Sequence, residues 1–111
     1  MKFLNKPLNK KFSIIDKGLT IEGAVNDHGN LIIKGIIKGS LDGEIIVITE
    51  KGTVLADTRA KNLTISGRFE GHLNVSQKLI IMSKGYCSGE IVCRDLVVET
   101  GGILDARISR L

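Results

Sequence analysis

Apolar and polar residues alternate along most of this chain, and the alternation keeps returning in the same form. Residues 63, 65, 67, 69, 71, 73 and 75 read Leu, Ile, Gly, Phe, Gly, Leu, Val, while Thr64, Ser66, Arg68, Glu70, His72 and Asn74 fill the gaps. A period of two with one apolar face predicts half-buried strands. A helix would spread these apolar residues around its whole circumference. From Leu31 onward the alternation reads as strict. It also repeats: Leu31, Ile33, Gly35, Ile37, Gly39 and Leu41 return as Leu63, Ile65, Gly67, Phe69, Gly71 and Leu73. A second version, Ile46, Ile48, Gly52, Val54 and Ala56, returns as Leu79, Ile81, Gly85, Cys87 and Gly89, and again as Leu96, Val98, Gly102, Leu104 and Ala106.

A repeat of 15 to 17 residues is the mark of a solenoid. Gly67 and Gly71 stay in phase with the inward apolar set, which suits a wall that bends at corners and keeps one face inside. The sequence therefore predicts an all-β, single-domain β-helix of about six windings, three-sided in section. Coils start at Leu31, Ile46, Leu63, Leu79 and Leu96, stacked at about 4.8 Å. They follow an irregular first coil over residues 14–30. The expected domain is 14–111. Residues 1–13 show no period and hold the single proline, Pro7, and they read as a flexible tail.

Charge sharpens that division. Net charge is +4 over 111 residues. Residues 1–17 hold Lys2, Lys6, Lys10, Lys11 and Lys17 against Asp16 alone, and the remaining 94 hold 11 basic and 11 acidic side chains. A diffuse basic face for nucleic acid is therefore poorly supported. A basic arm reaching an anionic surface fits better. Met1, Lys2, Phe3, Leu4 and Lys6 combine small apolar groups with lysines, so they are the candidate membrane-binding residues. One tail binds weakly, whereas many tails on one filament bind strongly. No apolar run approaches the ~20 residues of a membrane span, and Met1–Leu4 is too short for a secretory core, which points to a cytoplasmic protein with reduced thiols.

Candidate chemistry is thin. His28 falls in a turn and His72 on the outward parity, with no third ligand in view, so no metal is expected. Cys87 and Cys93 take inward parity and read as small buried hydrophobes. There is no Walker-type phosphate loop, so no nucleotide cofactor is expected. No catalytic residue is assigned, and the chain reads as a non-enzyme. The alternative is a β-helical enzyme of the hexapeptide acyltransferase type, or a small binding module. The coils, however, hold no steady six-residue phase.

The ordered pieces resemble the bactofilin family. The matching segments are Leu31–Gly39, Leu63–Gly71 and Gly85–Ile91, with Gly18–Gly23 and His28–Ile33 at the start. The resemblance covers residue 14 to the end. It implies a right-handed β-helix that polymerises end to end into filaments without nucleotide. It also implies a bacterial cytoskeletal role at the inner membrane, in cell shape or in placing peptidoglycan enzymes, and an N-terminal membrane-targeting stretch resembling Met1–Lys6. Ala56 and Ala106 depart from the family's corner glycines.

Polymerisation also follows from strand physics. A β-helix leaves unpaired strand edges at both ends, and monomeric solenoids cover them with caps. The last coil, Leu96 to Leu111, is followed by no amphipathic helix in this sequence. Leu19, Ile21, Val98, Leu104 and Ile108, in the two terminal coils, are therefore the expected polymer interface, and the chain itself is the expected partner.

Overall fold

The computed structural model describes residues 12–111 and contains nine strands and no helix among them. They are β1 (Phe12–Ile15), β2 (Thr20–Asn26), β3 (Asn30–Ile33), β4 (Ile36–Asp42), β5 (Ile45–Ile48), β6 (Thr53–Ile65), β7 (Arg68–Ile81), β8 (Tyr86–Val98) and β9 (Ile103–Arg110). Every pairing is parallel. The chain forms a β-solenoid of about six turns, as its repeat predicts.

Each winding has three faces. Face 1 is a short segment such as Ile45–Ile48, and face 2 begins after a turn at a position such as Thr53. Face 3 follows a corner at Gly23, Gly39, Ala56, Gly71, Gly89 or Ala106. The long strands β6, β7 and β8 each run through a corner and on into the next winding. The offset between paired residues varies from 15 (Leu31 with Ile46) to 18 (Phe69 with Cys87), so no six-residue phase persists. Slack is taken up mainly where face 1 turns into face 2, with two residues after Ile33 and Ile65 but four after Ile15, Ile48, Ile81 and Val98, and to a lesser degree where face 3 turns into face 1. At the face 3 to face 1 corner the register shifts between Ala60 and Asn62, and between Val75 and Lys78.

In-register pairing stacks like on like. The expected coil starts form one column, Leu31, Ile46, Leu63, Leu79 and Leu96. Beside it run Ile15, Ile33, Ile48, Ile65, Ile81 and Val98. Face 2 contributes Ile21, Ile37, Val54, Phe69, Cys87 and Leu104. Phe69, the large aromatic of this column, is fully buried and stacks on the small Cys87. That pairing of sizes keeps the volume of adjacent layers close to even, as dense packing requires. Face 3 contributes Val25, Leu41, Thr58, Leu73, Ile91 and Ile108. Thr58 is the odd member, with its hydroxyl buried and unpaired among the described residues.

Two expectations need correction. The first coil is not irregular: β2 pairs with β4 without a break from Thr20–Ile36 to Asn26–Asp42, and β1 pairs with β3. The turn between β1 and β2 closes with Gly18 at φ 92°, which lets a short loop deliver β2 in register. Nor is the alternation strict on face 1. Ile32, Val47, Ile80 and Val97 stand on the outward parity between two inward residues. Runs such as Leu31-Ile32-Ile33 and Ile45-Ile46-Val47-Ile48 are therefore apolar on both faces.

The corner column explains the glycines that kept the inward parity. Gly23, Gly39, Gly71 and Gly89 all have positive φ, and Gly89 stands at 117°. A Cβ on Gly89 would fall on the carbonyl oxygen of Gly71 in the winding before it. Ala56 and Ala106 take the corner with no positive φ. Beside Ala56 the ladder lapses, passing from Leu55–Glu70 directly to Thr58–Leu73.

Gly89→Ala is expected to lower stability by about 3 kcal/mol, from backbone strain plus the clash. Thr58→Val is expected to raise it by about 1 kcal/mol, because an unpaired buried hydroxyl is removed at constant shape. Thermal and urea unfolding followed by circular dichroism check both.

Candidate functional site

The surfaces that can act on other molecules are the ends and walls of the rod. At the C-terminal end, β9 pairs with β8 and carries no strand on its other edge among the described residues. At the opposite end, β1 pairs with β3 and β2 with β4. Inward residues of the middle windings are sealed above and below; those of the last winding are open at Val98 and Ile108, while in the first winding Ile15 is buried and Ile21 and Val25 are half-buried. In the face 1 column Ile33 to Ile81 are fully buried, but Val98 is 41% exposed. In the face 3 column Ile91 is 1% exposed and Ile108 is 44% exposed.

Three of the expected interface residues, Val98, Leu104 and Ile108, come together on the last winding, one on each face. Ile21 lies on the first winding in the same column as Leu104 and is half-buried against the core. Leu19 is 51% exposed and sits in the turn before β2, outside the columns. Sequence reasoning passed over Val25, which heads the column ending at Ile108, and Leu96 and Ala106 at the other end. The signal was available, since each holds the inward parity of its coil. The candidate membrane residues Met1, Lys2, Phe3, Leu4 and Lys6 lie outside the described residues.

The walls carry ladders of outward side chains. On face 3 the outward order is Ala24, Ser40, Asp57, His72, Glu90, Arg107. His72 Nδ1 lies 3.1 Å from Asp57 Oδ1, and Nε2 lies 3.2 Å from Glu90 Oε1. The hydrogen bond to Asp57 holds the His72 pKa above 6.5, helped by the charges of Asp57 and Glu90. Both ring nitrogens face carboxylates, so neither is placed to take a proton from a nucleophile. An open groove of about 520 Å³ runs beside this ladder, between it and the outward row containing Asn26, Asp42, Arg59 and Asn74. Its walls bring no thiol to the histidine.

The cysteines are free and buried. Burial, with a smaller contribution from Cys93, pushes the Cys87 thiol up to about 12, so it carries almost no thiolate near neutrality. Burial also raises Cys93, with Asp95 adding to the effect and Arg110 opposing it. No group of three or more His, Cys, Asp or Glu suited to a metal occurs among the described residues. No helix of the described chain is long and apolar enough to cross a membrane.

A rod with unpaired strand edges at both ends among the described residues and open apolar columns at one is the form expected of a polymer subunit. The family described as bactofilin, polymer-forming cytoskeletal, matches residues 13–109. The chain belongs to the bactofilin family. Bactofilin BacO of Myxococcus xanthus is 26% identical over 90 residues, covering 80% of this chain and 71% of that protein. Bactofilin BacP of the same organism is 21% identical over 108 residues, and this chain spans 45% of its length. The cytoskeletal bactofilin BacA, solved by solid-state NMR, superposes with a TM-score of 0.79 at 29% identity, over 90% of this chain and 96% of that one. A Thermus thermophilus bactofilin, reconstructed by cryo-electron microscopy in double helical filaments, superposes at 0.76 with 20% identity, over 87% and 99% of the two chains. Bactofilins form homopolymeric cytoskeletal filaments, and the rod described above has the bactofilin fold.

The His72 ladder makes a pH-dependent contribution with a defined sign. Its pKa is raised on folding, so the ladder's stabilisation is full below the unfolded value of 6.5 and is lost as pH rises through the folded value. NMR titration is expected to place His72 above 6.5, and Asp57→Asn is expected to bring it back down.

Proposed function

We propose that this bactofilin assembles end to end, through its two terminal windings, into filaments that need no nucleotide. In this reading the basic N-terminal segment holds the filaments on the inner face of the cytoplasmic membrane, where they scaffold cell shape or position cell-wall enzymes. One observation carries the assembly step. Apolar columns that are sealed in the middle of the rod stand open at the C-terminal end, at Val98 and Ile108, and partly open at the other end, at Ile21 and Val25, beside strand edges that have no partner among the described residues.

The energetics favour stacking. An added rod pairs a row of backbone groups that otherwise face water, and it covers Ile21, Val25, Val98, Leu104 and Ile108 together. Each such side chain contributes about 1 kcal/mol when its remaining exposure is removed. No step in this process requires bond cleavage or phosphate binding. The contact is a continuation of the fold, with the next molecule serving as the next winding.

Membrane attachment rests on the tail's composition. Lys2 and Lys6 flank Phe3 and Leu4. A lysine near an anionic leaflet adds about 1 kcal/mol, so a single tail is weak. A filament presents many tails at once and multiplies the attachment.

Leu104→Lys or Ile108→Lys places an ammonium group in a contact that must be dry, at a cost of several kcal/mol. Each variant is expected to remain folded and to run as a short soluble species. Negative-stain microscopy showing filaments of unchanged length would falsify the end-to-end reading. Deletion of residues 1–8 is expected to leave filaments intact and to abolish their pelleting with anionic liposomes. Unchanged pelleting would count against the tail.

A further inference from the structure

The outward side of face 1 differs from the other two walls. Its central column reads Ile14, Ile32, Val47, Thr64, Ile80, Val97, each residue paired with the next across the parallel ladder. Ile14 is 51% exposed and Val97 41%, and the members between them are half-buried by their neighbours in the stripe. Five steps of about 4.8 Å make this an aliphatic line about 24 Å long, running the length of the described rod. The matching column on face 2 reads Glu22, Lys38, Leu55, Glu70, Ser88, Asp105, and that on face 3 ends in Asp57, His72, Glu90, Arg107. Neither is an apolar line.

Charge is distributed unevenly around the same section. Exposed Lys34, Lys51, Lys61, Lys78, Lys84, Arg94 and Arg110 lie on face 1 or at the two corners that border it. Asp27, Glu44, Glu50, Asp95 and Glu99 are the acids there, apart from the adjacent Asp16 and Lys17, which cancel. That is seven basic against five acidic. Residues 18–111 hold eleven of each, so faces 2 and 3 are left with four basic and six acidic. A body that is neutral by sum is thus positive on the wall with the aliphatic line and negative on the other two. The chain also joins the body on this wall, because β1, which leads out of the basic residues 1–11, is the first strand of face 1.

We propose that face 1 is the wall that lies against the membrane, with its aliphatic stripe in the interface of an anionic bilayer and its bordering lysines at the headgroups. This rests on the reading that the filament is membrane-bound, and it adds which side of the filament is turned to the lipid. Charge and apolar surface together decide between the possible occupants. A second copy meeting this wall with its own face 1 would set two positive surfaces together, and one meeting it with face 2 or 3 would bring no aliphatic line to the stripe, whereas an anionic leaflet complements both the charge and the stripe. In a stacked filament the stripe repeats from rod to rod, so weak contacts per winding sum along the polymer.

The chain has no tryptophan, so a single introduced one reports its own surroundings. Val47→Trp marks face 1, and Leu55→Trp, also outward, marks face 2. Full-length filaments are mixed with vesicles of equal parts phosphatidylglycerol and phosphatidylcholine, or of phosphatidylcholine alone. The Val47→Trp emission is expected to move to the blue with the anionic vesicles and to be quenched by brominated lipid, while Leu55→Trp stays unchanged. The paired substitution Ile32→Ser with Ile80→Ser is expected to weaken vesicle binding about tenfold, with filaments and thermal midpoint retained. A Val47→Trp emission already blue-shifted in filaments without vesicles would show that another copy covers the face, and would overturn the proposal. So would a shift at Leu55→Trp instead, or wild-type binding by the serine pair. Loss of binding on deleting residues 1–8, with no signal at Val47→Trp, would keep the tail and reject the face. Vesicles that fail to pellet with the full chain would reject both.

Discussion

Parallel backbone pairing in register is the constraint on which the rest of this structure depends. Once each winding lies over the last at about 4.8 Å, every side chain sits above its counterpart one repeat earlier. Neighbours in space are then fixed by the repeat. An inward side chain must fit the one above it, as the bulky Phe69 fits the small Cys87, a bend must lie over a bend, and a charge must stand next to whatever the adjacent coil presents at that position. The Ile15 to Val98 column, the glycine corner and the Asp57–His72–Glu90 ladder are three outcomes of this rule.

The same rule limits what can change. Gly89 is held to glycine by Gly71, whose carbonyl occupies the space a side chain would need. Alanine at the corner has two outcomes: the ladder lapses between Ala56 and the winding that holds Gly71, but it runs unbroken through Gly39–Ala56 and Gly89–Ala106. Variation is tolerated at the turn from face 1 to face 2, which holds two or four residues, and where face 3 turns into face 1, because extra residues at either place can bulge outward without moving the columns. Windings of unequal length can therefore share one core.

A stack with this geometry has no internal reason to stop. Its middle layers are sealed by the layers on either side, the last layer exposes the same aliphatic columns, the first exposes two of them in part, and both carry an unpaired backbone edge among the described residues. That gives a physical basis for polymer formation in this family without nucleotide chemistry. The subunit contact draws on the interactions that hold one winding to the next. The walls are left free for other contacts, and they differ from one another: face 1 is aliphatic and positive, whereas faces 2 and 3 are polar and negative in sum.

The sequence by itself determined the repeat, the inward parity and the starts of the coils. Each of these is a local period that hydrophobic burial imposes on neighbouring residues, and Leu31, Ile46, Leu63, Leu79 and Leu96 do form one column. It also grouped Val98, Leu104 and Ile108 in one repeat, and they do share one winding. Three features were decided by tertiary structure. The regular first winding depends on Gly23 lying over Gly39, a contact between residues a full coil apart. The outward stripe from Ile14 to Val97 was hidden inside short apolar runs. A run such as Leu31-Ile32-Ile33 does not say that its middle residue points to solvent until pairing fixes which residues face inward. The sum of charges showed a neutral body, and only folding separated those charges onto different walls, because residues fifteen or more apart in the chain become neighbours on one face.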